Sequence, residues 1–397
     1  MGIEALALSM TAAFFHGTLQ HMPLLALVLG RQPEVEDAVL ADFSQAMAKG
    51  RSVPMLVAEP GAEVTGLLIR SVNGDELARL DYYLRGSAQS TRPLPVRPTQ
   101  GGPQVLAKVY MVGLDWEITS GSWSFEIWLA RFGDATMAVA RQLMAAFGTE
   151  RAALMASRYD MLMVRESARL RAMAEASPTV IRQTAGQGAI IVHRLHEPYA
   201  KFFAVEEYDL SHRRFDGSMT PLLNRATFIS GDAAVVLPYD PVRDRVLVIE
   251  QFRPGPFARG DRQPWQLEPV AGRIDPGETP QEAARRETLE EAGLELQELL
   301  PIANYYPSPG AKTEFLYTFL GIADLPDSVA GFGGLAAEGE DIRVHLLAFD
   351  DLMRLVSSGE VTTGPLILSA LWLAARRQDL RAPASARARK ISSNLGP

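Results

Sequence analysis

Cysteine is absent from the 397 residues. That removes disulfides, thiolate metal sites and cysteine nucleophiles together, and the expected compartment is a reducing one, the cytoplasm. Histidine is scarce: six residues are scattered, and only His193 and His196 sit close together, neither with an acidic partner at metal-ligand spacing. No Lys or Arg precedes Arg31, so the apolar stretch 5–29 lacks the positive flank of a signal peptide. His16, Gly17, Gln20, His21 and Pro23 also interrupt it short of the ~20 residues that a membrane span needs. It reads as a buried strand, a turn and a short helix, and no membrane partner is expected. There is no Gly-x-x-x-x-Gly-Lys-Ser/Thr loop, which excludes a P-loop ATPase. A net charge of −8 leaves no general grip on nucleic-acid phosphates, although a local arginine cluster or a bound cation can still receive a small anion.

What is present divides the chain into blocks. Residues 1–130 mix short strand-like runs (Thr11–Phe15, Glu63–Arg70, Val105–Val112) with helical stretches such as Pro33–Ala48, punctuated by Asn73-Gly74 and Gly101-Gly102-Pro103. Residues 131–182 turn rich in Ala, Met and Arg and read as a helical connector. Residues 183–382 form a second α/β unit. Within it, Ala233–Tyr239 and Arg245–Phe252 suit a hairpin closed by Asp240–Asp244, Val344–Phe349 a strand, and Pro365–Arg376 an apolar helix. The basic tail 383–397 is small and polar, with the composition of a disordered segment.

The informative stretch runs from Ala271 to Leu294. Thr279 is a good N-cap, Pro280 suits the first helical position, and Glu282 completes a Thr-x-x-Glu capping box. Gly293 supplies a left-handed stop, so a helix over 280–292 is expected between two glycine-containing loops. At 100° per residue, Glu287, Glu290 and Glu291 fall within one sector, with Ala283 and Ala284 a turn earlier leaving room above them. Arg286, four residues before Glu290, can pair with it. Carboxylates gathered this closely repel, and the remedy is proton uptake or a hard cation. Oxygen-only ligands favour Mg²⁺ or Mn²⁺ over zinc. Taken alone, such a run is also what a solvated acidic helix face looks like.

The complete pattern separates the two readings. Gly272-x5-Glu278-x7-Arg286-Glu287-x-x-Glu290-Glu291-x-Gly293-Leu294 resembles the Nudix box at all its polar and glycine positions, with Thr288 where the family prefers a bulky aliphatic. The flanks Glu250-Gln251-Phe252-Arg253, Trp265–Gly272 and Ser308-Pro309-Gly310 resemble the ADP-ribose pyrophosphatase branch, with Pro309 placed 15 residues past Leu294. Gly334–His345 is similar to that branch's catalytic loop. The resemblance covers roughly residues 190–380 and implies an αβα sandwich with a mixed sheet. It assigns metal binding to the Ala271 carbonyl, Glu287, Glu291 and Glu340. Glu290 and Arg286 complete the catalytic helix, and Glu338 is the general base. It gives substrate contacts to Arg253, Glu268, Pro309, Gly310 and Glu314. The implied reaction is Mg²⁺- or Mn²⁺-dependent hydrolysis of ADP-ribose, with GDP-mannose or another nucleoside-diphosphate sugar as the alternative substrate. A sensor that binds ADP-ribose without turnover is the alternative of another class. The branch also implies a homodimer.

Toward the N-terminus, Phe14–Leu19 resembles the loop of γ-glutamylcyclotransferase-like domains, a small-barrel α/β fold, whose backbone N–H groups bind a γ-glutamyl carboxylate, and Ala78–Leu84 is similar to their Leu-Asp-x-x-Glu segment. His16 replaces the family's tyrosine, and Leu84 stands at its catalytic glutamate. Leucine cannot transfer a proton, so this unit is expected to be inactive as a cyclotransferase. The pairing of the two domains resembles tellurite-resistance proteins of the TrgB type.

Overall fold

The computed structural model describes residues 11–48, 52–84, 88–112, 117–334 and 339–382. The chain separates into two compact units between Ala176 and Ser177. The first contains strands β1 (Thr11–Phe15), β2 (Glu36–Ala48), β3 (Pro54–Val72), β4 (Ala88–Pro98), β5 (Val105–Val112) and β6 (Ile118–Ser122). Its helices are α1 (Met22–Leu29), α2 (Gly74–Leu84), α3 (Phe125–Ala146), α4 (Ala152–Ala156) and α5 (Tyr159–Ala174). The strand order is β3-β1-β5-β4-β2, and β2 pairs back onto β3, so five strands close into a barrel with β6 added to β2. Closure leaves these strands no free edge. Phe14, Leu40, Leu68, Val96 and Val109 fill the interior.

Two expectations change here. Pro33–Ala48, read as helical, is β2 from Glu36 onward: its pairing with β3 and β4 closes the barrel, and Asp42, at φ 62°, forms a bulge that lets it bend. The helices expected as a connector start at Phe125 and bury Trp128, Val139, Leu143, Leu162 and Met163 in one core with Phe15, Leu25 and Leu80. Their apolar stripe needs a partner, and the outer face of the barrel unit provides it.

The second unit begins with a meander of β7 (Ile190–Ala200), β8 (Ala204–His212) and β9 (Leu223–Ile229) that the sequence reading had not resolved. A larger sheet follows, made of β10 (Ala233–Asp240), β11 (Arg245–Phe252), β12 (Trp265–Glu268), β13 (Val270–Arg273), β14 (Glu298–Tyr305), β15 (Leu316–Ile322), β16 (Gly331–Gly333) and β17 (Ile342–Ala348). Its helices are α6 (Pro254–Arg259), α7 (Pro280–Ala292), α8 (Phe349–Ser358) and α9 (Gly364–Arg381). The order is β14-β15-β10-β11-β17-β16, with β10 and β15 parallel. Beside their turn, β10 and β11 pair only through Tyr239/Val246 and Asp240/Arg245. Beyond it they splay, and β13 takes the edge of β10 while β12 takes that of β11. Leu247, Ile249 and Val270 pack on one face with Ala283 and Ala284 of α7, and Leu237, Tyr239 and Val248 pack on the other with Leu352, Leu366 and Leu373 of α8 and α9. This is the expected αβα sandwich. Contrary to the expectation that they leave room above the carboxylates, Ala283 and Ala284 are fully buried, and their small side chains let α7 lie close on the sheet.

An ionic clamp fixes the β10–β11 turn to the last helix. Asp244, at φ 57°, accepts hydrogen bonds from Tyr239 Oη at 2.8 Å and Arg377 Nε at 2.9 Å and pairs with Arg381, while Arg377 also reaches Asp350 at 2.7 Å. Burial opposes the Asp244 charge, but these donors outweigh it and hold the carboxyl below its ordinary range. No helix among the described residues is long and apolar enough to cross a membrane. Asp244→Ala is expected to cost about 1–3 kcal/mol in urea unfolding of this unit. Asp244→Asn tolerates the left-handed backbone and keeps an acceptor for Tyr239, so it should cost less. Equal losses would put the cost in the lost charge, which both variants share, rather than in the turn.

Candidate active site

The site is organised by α7, and its ends form as the sequence dictates. Thr279 Oγ1 accepts from the Glu282 amide at 3.1 Å, and the Glu282 carboxylate accepts from the Thr279 amide at 2.8 Å. Such a cap contributes about 1 kcal/mol. Gly293, at φ 60°, ends the helix. Between these ends, one face rests on β10 and β13, and the carboxylates lie where that face meets the gap between the splayed strands.

Arg286 is the hub. Its Nε and Nη2 bind Glu278 in a fork at 2.8 and 2.9 Å, its Nη1 reaches Glu287 at 2.8 Å and Glu290 at 2.9 Å, and Nη2 also donates to the Arg273 carbonyl at 3.0 Å. Burial disfavours this cation, but Glu278 and Glu287 more than compensate and hold it protonated. Glu291 is only 2 % exposed, and it accepts from the Ala271 amide at 3.1 Å. Two glycines permit this closeness. A methyl group on Gly272 would sit 2.0 Å from the Glu287 carboxylate, and one on Gly333 would sit 1.9 Å from the Glu291 carbonyl oxygen. The Nudix-box glycine is therefore a space requirement of Glu287, and β16 is a strand that must lie against the last turn of α7.

The electrostatics show what this assembly lacks. Burial pushes Glu287 up to about 7, against the opposing pull of Arg286 and with help from Glu290 and Asp275. Burial likewise pushes Glu291 up to about 8; the Ala271 amide opposes this, and Glu287 and Glu340 add to it. One arginine does not neutralise these groups. Among the described residues no set of three or more His, Asp or Glu side chains is gathered at metal-holding geometry; Glu287 and Glu290 turn to Arg286, while Glu291 faces the Ala271 amide. The donor set still fits a hard divalent cation: it is all oxygen, partly buried, and short of positive charge.

The remaining predicted residues form two further groups. Arg253, capping α6, donates to Glu268 on β12 at 2.6 Å and is near enough to act on the charge of Glu291. Pro309, Gly310 and Glu314 belong to a loop strapped to β9, with the Phe228 amide donating to the Ala311 carbonyl at 2.8 Å and the Thr313 amide to the Phe228 carbonyl at 3.0 Å. Glu314 there pairs with Lys312 at 3.5 Å. Glu338 lies outside the described residues. Sequence reading missed Asp275, whose carboxyl is raised by burial beside Arg286 and Glu278; the Asp-Pro-Gly-Glu turn was the available signal.

In the barrel unit, His16 is half-buried. Its Nε2 donates to the Tyr110 carbonyl at 3.3 Å and its Nδ1 accepts from Gln45 at 3.2 Å, with burial lowering it to about 4, so it stays neutral. Leu84 packs in the core shared with the helices.

Comparison with known proteins follows this division. The NUDIX domain profile matches residues 230–363, and that of gamma-glutamyl cyclotransferase, AIG2-like, matches residues 13–125. An Escherichia coli ADP-ribose pyrophosphatase is 36% identical over 204 residues, 51% of this chain and 97% of the relative. One from Haemophilus influenzae is 33% identical over 177 residues, 44% of this chain and 81% of the relative. A GDP-mannose pyrophosphatase of Escherichia coli is 32% identical over 161 residues, 41% of this chain and 81% of the relative. The capped carboxylate helix, the sandwich that carries it and a relative matched along nearly its whole length lead to one conclusion: the chain belongs to the Nudix family.

Proposed function

We propose that the second unit hydrolyses ADP-ribose to AMP and ribose 5-phosphate with Mg²⁺, Mn²⁺ serving in its place. The observation that carries this reading is the packed carboxylate face of α7 in a chain 36% identical to an ADP-ribose pyrophosphatase along 97% of its length. The Ala271 carbonyl, Glu287, Glu291 and Glu340 would hold the cation, which supplies positive charge where phosphorus gains electron density. Glu290 and Glu278 keep Arg286 in place, and Arg286 keeps Glu287 turned toward Gly272. Arg253 receives the diphosphate, aimed by Glu268, while Pro309, Gly310 and Glu314 shape the substrate side. Water adds to one phosphorus as the bridging P–O bond breaks. Its proton passes to Glu338, and the departing phosphate keeps the bridging oxygen. The GDP-mannose relative makes that sugar nucleotide the second candidate.

The barrel unit is proposed to be inactive as a cyclotransferase, since Leu84 is a core residue without a proton to give. The compartment proposed is the cytoplasm, in keeping with a chain that uses no cysteine. The oligomer proposed is a homodimer through β7. This edge strand exposes Ile190, Ile191, Val192, Leu195 and Tyr199, and its outer edge, which pairs with no strand among the described residues, is self-complementary when two copies meet antiparallel.

Product analysis with ADP-ribose, GDP-mannose, NADH and ADP-glucose tests the reaction. EDTA-sensitive release of AMP and ribose 5-phosphate from ADP-ribose is expected; faster cleavage of GDP-mannose would overturn the substrate, and binding without turnover would make the protein a sensor. Glu287→Gln should lower turnover by about 10³-fold or more, and retained activity would remove Glu287 from the site. The carboxyls raised to about 7 and 8 favour folding while protonated, below their ordinary range, and lose that contribution as pH rises through those values. A divalent cation reverses the loss. The rise in melting temperature on adding Mg²⁺ should therefore be larger at pH 8.5 than at pH 6, and an equal rise at both would place the cation elsewhere.

A further inference from the structure

Strand β11 alternates between the two faces of its sheet. Leu247 and Ile249 point to the α7 side, in one core with Ala283 and Ala284. Gln251 is next in this row, and Arg253 follows it with its ion pair to Glu268. Across β12, Gln251 stands opposite Gln266. Across β17, the register Ile249↔Val344 and Glu250↔Arg343 brings Ile342 alongside it. Ile342 lies within 3.2 Å of the space beside Gly334, which the Cβ of Glu340 also borders at 2.9 Å. Gln251 is thus the last side chain of the core row, between the arginine at the rim and the root of the segment that carries Glu340.

Its environment does not satisfy it. Gln251 is 7 % exposed, and its Nε2 has no hydrogen-bond partner among the described residues. Its polar neighbours have partners of their own: Gln266 Nε2 donates to the Gln263 carbonyl at 2.8 Å, Gln266 Oε1 accepts from Thr362 at 2.5 Å, and Arg253 Nε donates to Glu268. A buried amide without a partner costs stability, and a leucine or methionine would fill the same place at no such cost. Its Nε2 is itself closed to solvent here, so a glutamine at this place suits a partner that arrives from outside the chain and draws the side chain round to meet it. The free atom is a donor, so the partner must present an acceptor. Beside a cationic arginine, the acceptor that fits is an anionic oxygen.

We propose that Gln251 is a substrate-positioning residue whose buried amide donates to a phosphoryl oxygen of the bound diphosphate. This rests on the reading of the α7 site as a nucleoside-diphosphate hydrolase. The neutral donor fixes the phosphoryl group relative to α7 without adding a charge that would compete with the cation for the carboxylates.

The test compares Gln251→Met, similar in volume and without a donor, with the full-length wild-type chain in Mg²⁺. A melting temperature equal to or above that of wild type is expected, with kcat for ADP-ribose about 10- to 100-fold lower and KM changed much less. Gln251→Glu, which accepts but cannot donate and repels the diphosphate, should raise KM as well. A Gln251→Met protein that melts lower yet turns over at the wild-type rate would make the amide a structural group and overturn the proposal. Should wild type turn over none of the sugar nucleotides, the hydrolase reading fails separately, and calorimetric titration with ADP-ribose then decides. Tenfold weaker binding in Gln251→Met supports the amide–phosphoryl contact, and unchanged binding overturns it.

Discussion

Four glutamates on or beside one helix have to share a volume with a single arginine, and much of the local structure follows from that repulsion. Arg286 uses all five of its N–H directions, four on carboxylate oxygens and one on the Arg273 carbonyl. That arrangement requires Glu278 to arrive from the preceding turn, which in turn requires α7 to start at Thr279 and its cap to hold. It also requires α7 to lie close on the sheet, hence alanines at 283 and 284, glycine at 272 facing Glu287, and glycine at 333 against the last turn. The compensation is partial. Burial, with a smaller push from neighbouring carboxylates, raises two of the carboxyls to about 7 and 8, and a cation fits there because it would meet both costs.

What could be read from the sequence follows the range of the interactions involved. The ends of α7 are fixed by contacts three or four residues long, so Thr279, Glu282 and Gly293 announced the helix to the residue. The β10–β11 hairpin and α9 were similarly local. The strand β2 was not: its residues suit a helix, and only pairing with β3 and β4, with a bulge at Asp42, makes it a strand. The β7–β9 meander was missed because β7 is exposed along nearly its whole length and so lacks the alternation that betrays a half-buried strand.

The site divides in the same way. The spacing of Glu287, Glu290 and Glu291 was legible because a helix converts sequence distance into angle. The pairing of Arg253 with Glu268 depends on the β11–β12 register, and the place of Gln251 depends on two registers at once. Nor does sequence tell a satisfied glutamine from an unsatisfied one; that difference appears only when every neighbour has been given its partners. Leu84 is the opposite case, since a residue type that cannot carry a proton is informative before any fold is known.

The three-stranded sheet connects the Ser308–Glu314 loop to the carboxylate cluster of α7. Through Phe228 it straps the Ser308–Glu314 loop, and through Phe202 it stacks on the guanidinium of Arg273, at 4.4 Å. The carbonyl of that same Arg273 anchors Arg286. Phe203 lies between, its ring 4.7 Å from Phe202 and 4.8 Å from Phe228. A change in the meander therefore acts on both the 308–314 loop and the carboxylate hub, by packing rather than by charge. On the proposed reading, this separates chemistry from choice of substrate. The α7 face is bound by its own electrostatics to one arrangement, whereas the meander and the loop it holds can vary without disturbing that balance. Relatives named for ADP-ribose and for GDP-mannose are then compatible with a single catalytic helix, and the residues that set the substrate are to be sought around Phe203, Phe228 and the 308–314 loop.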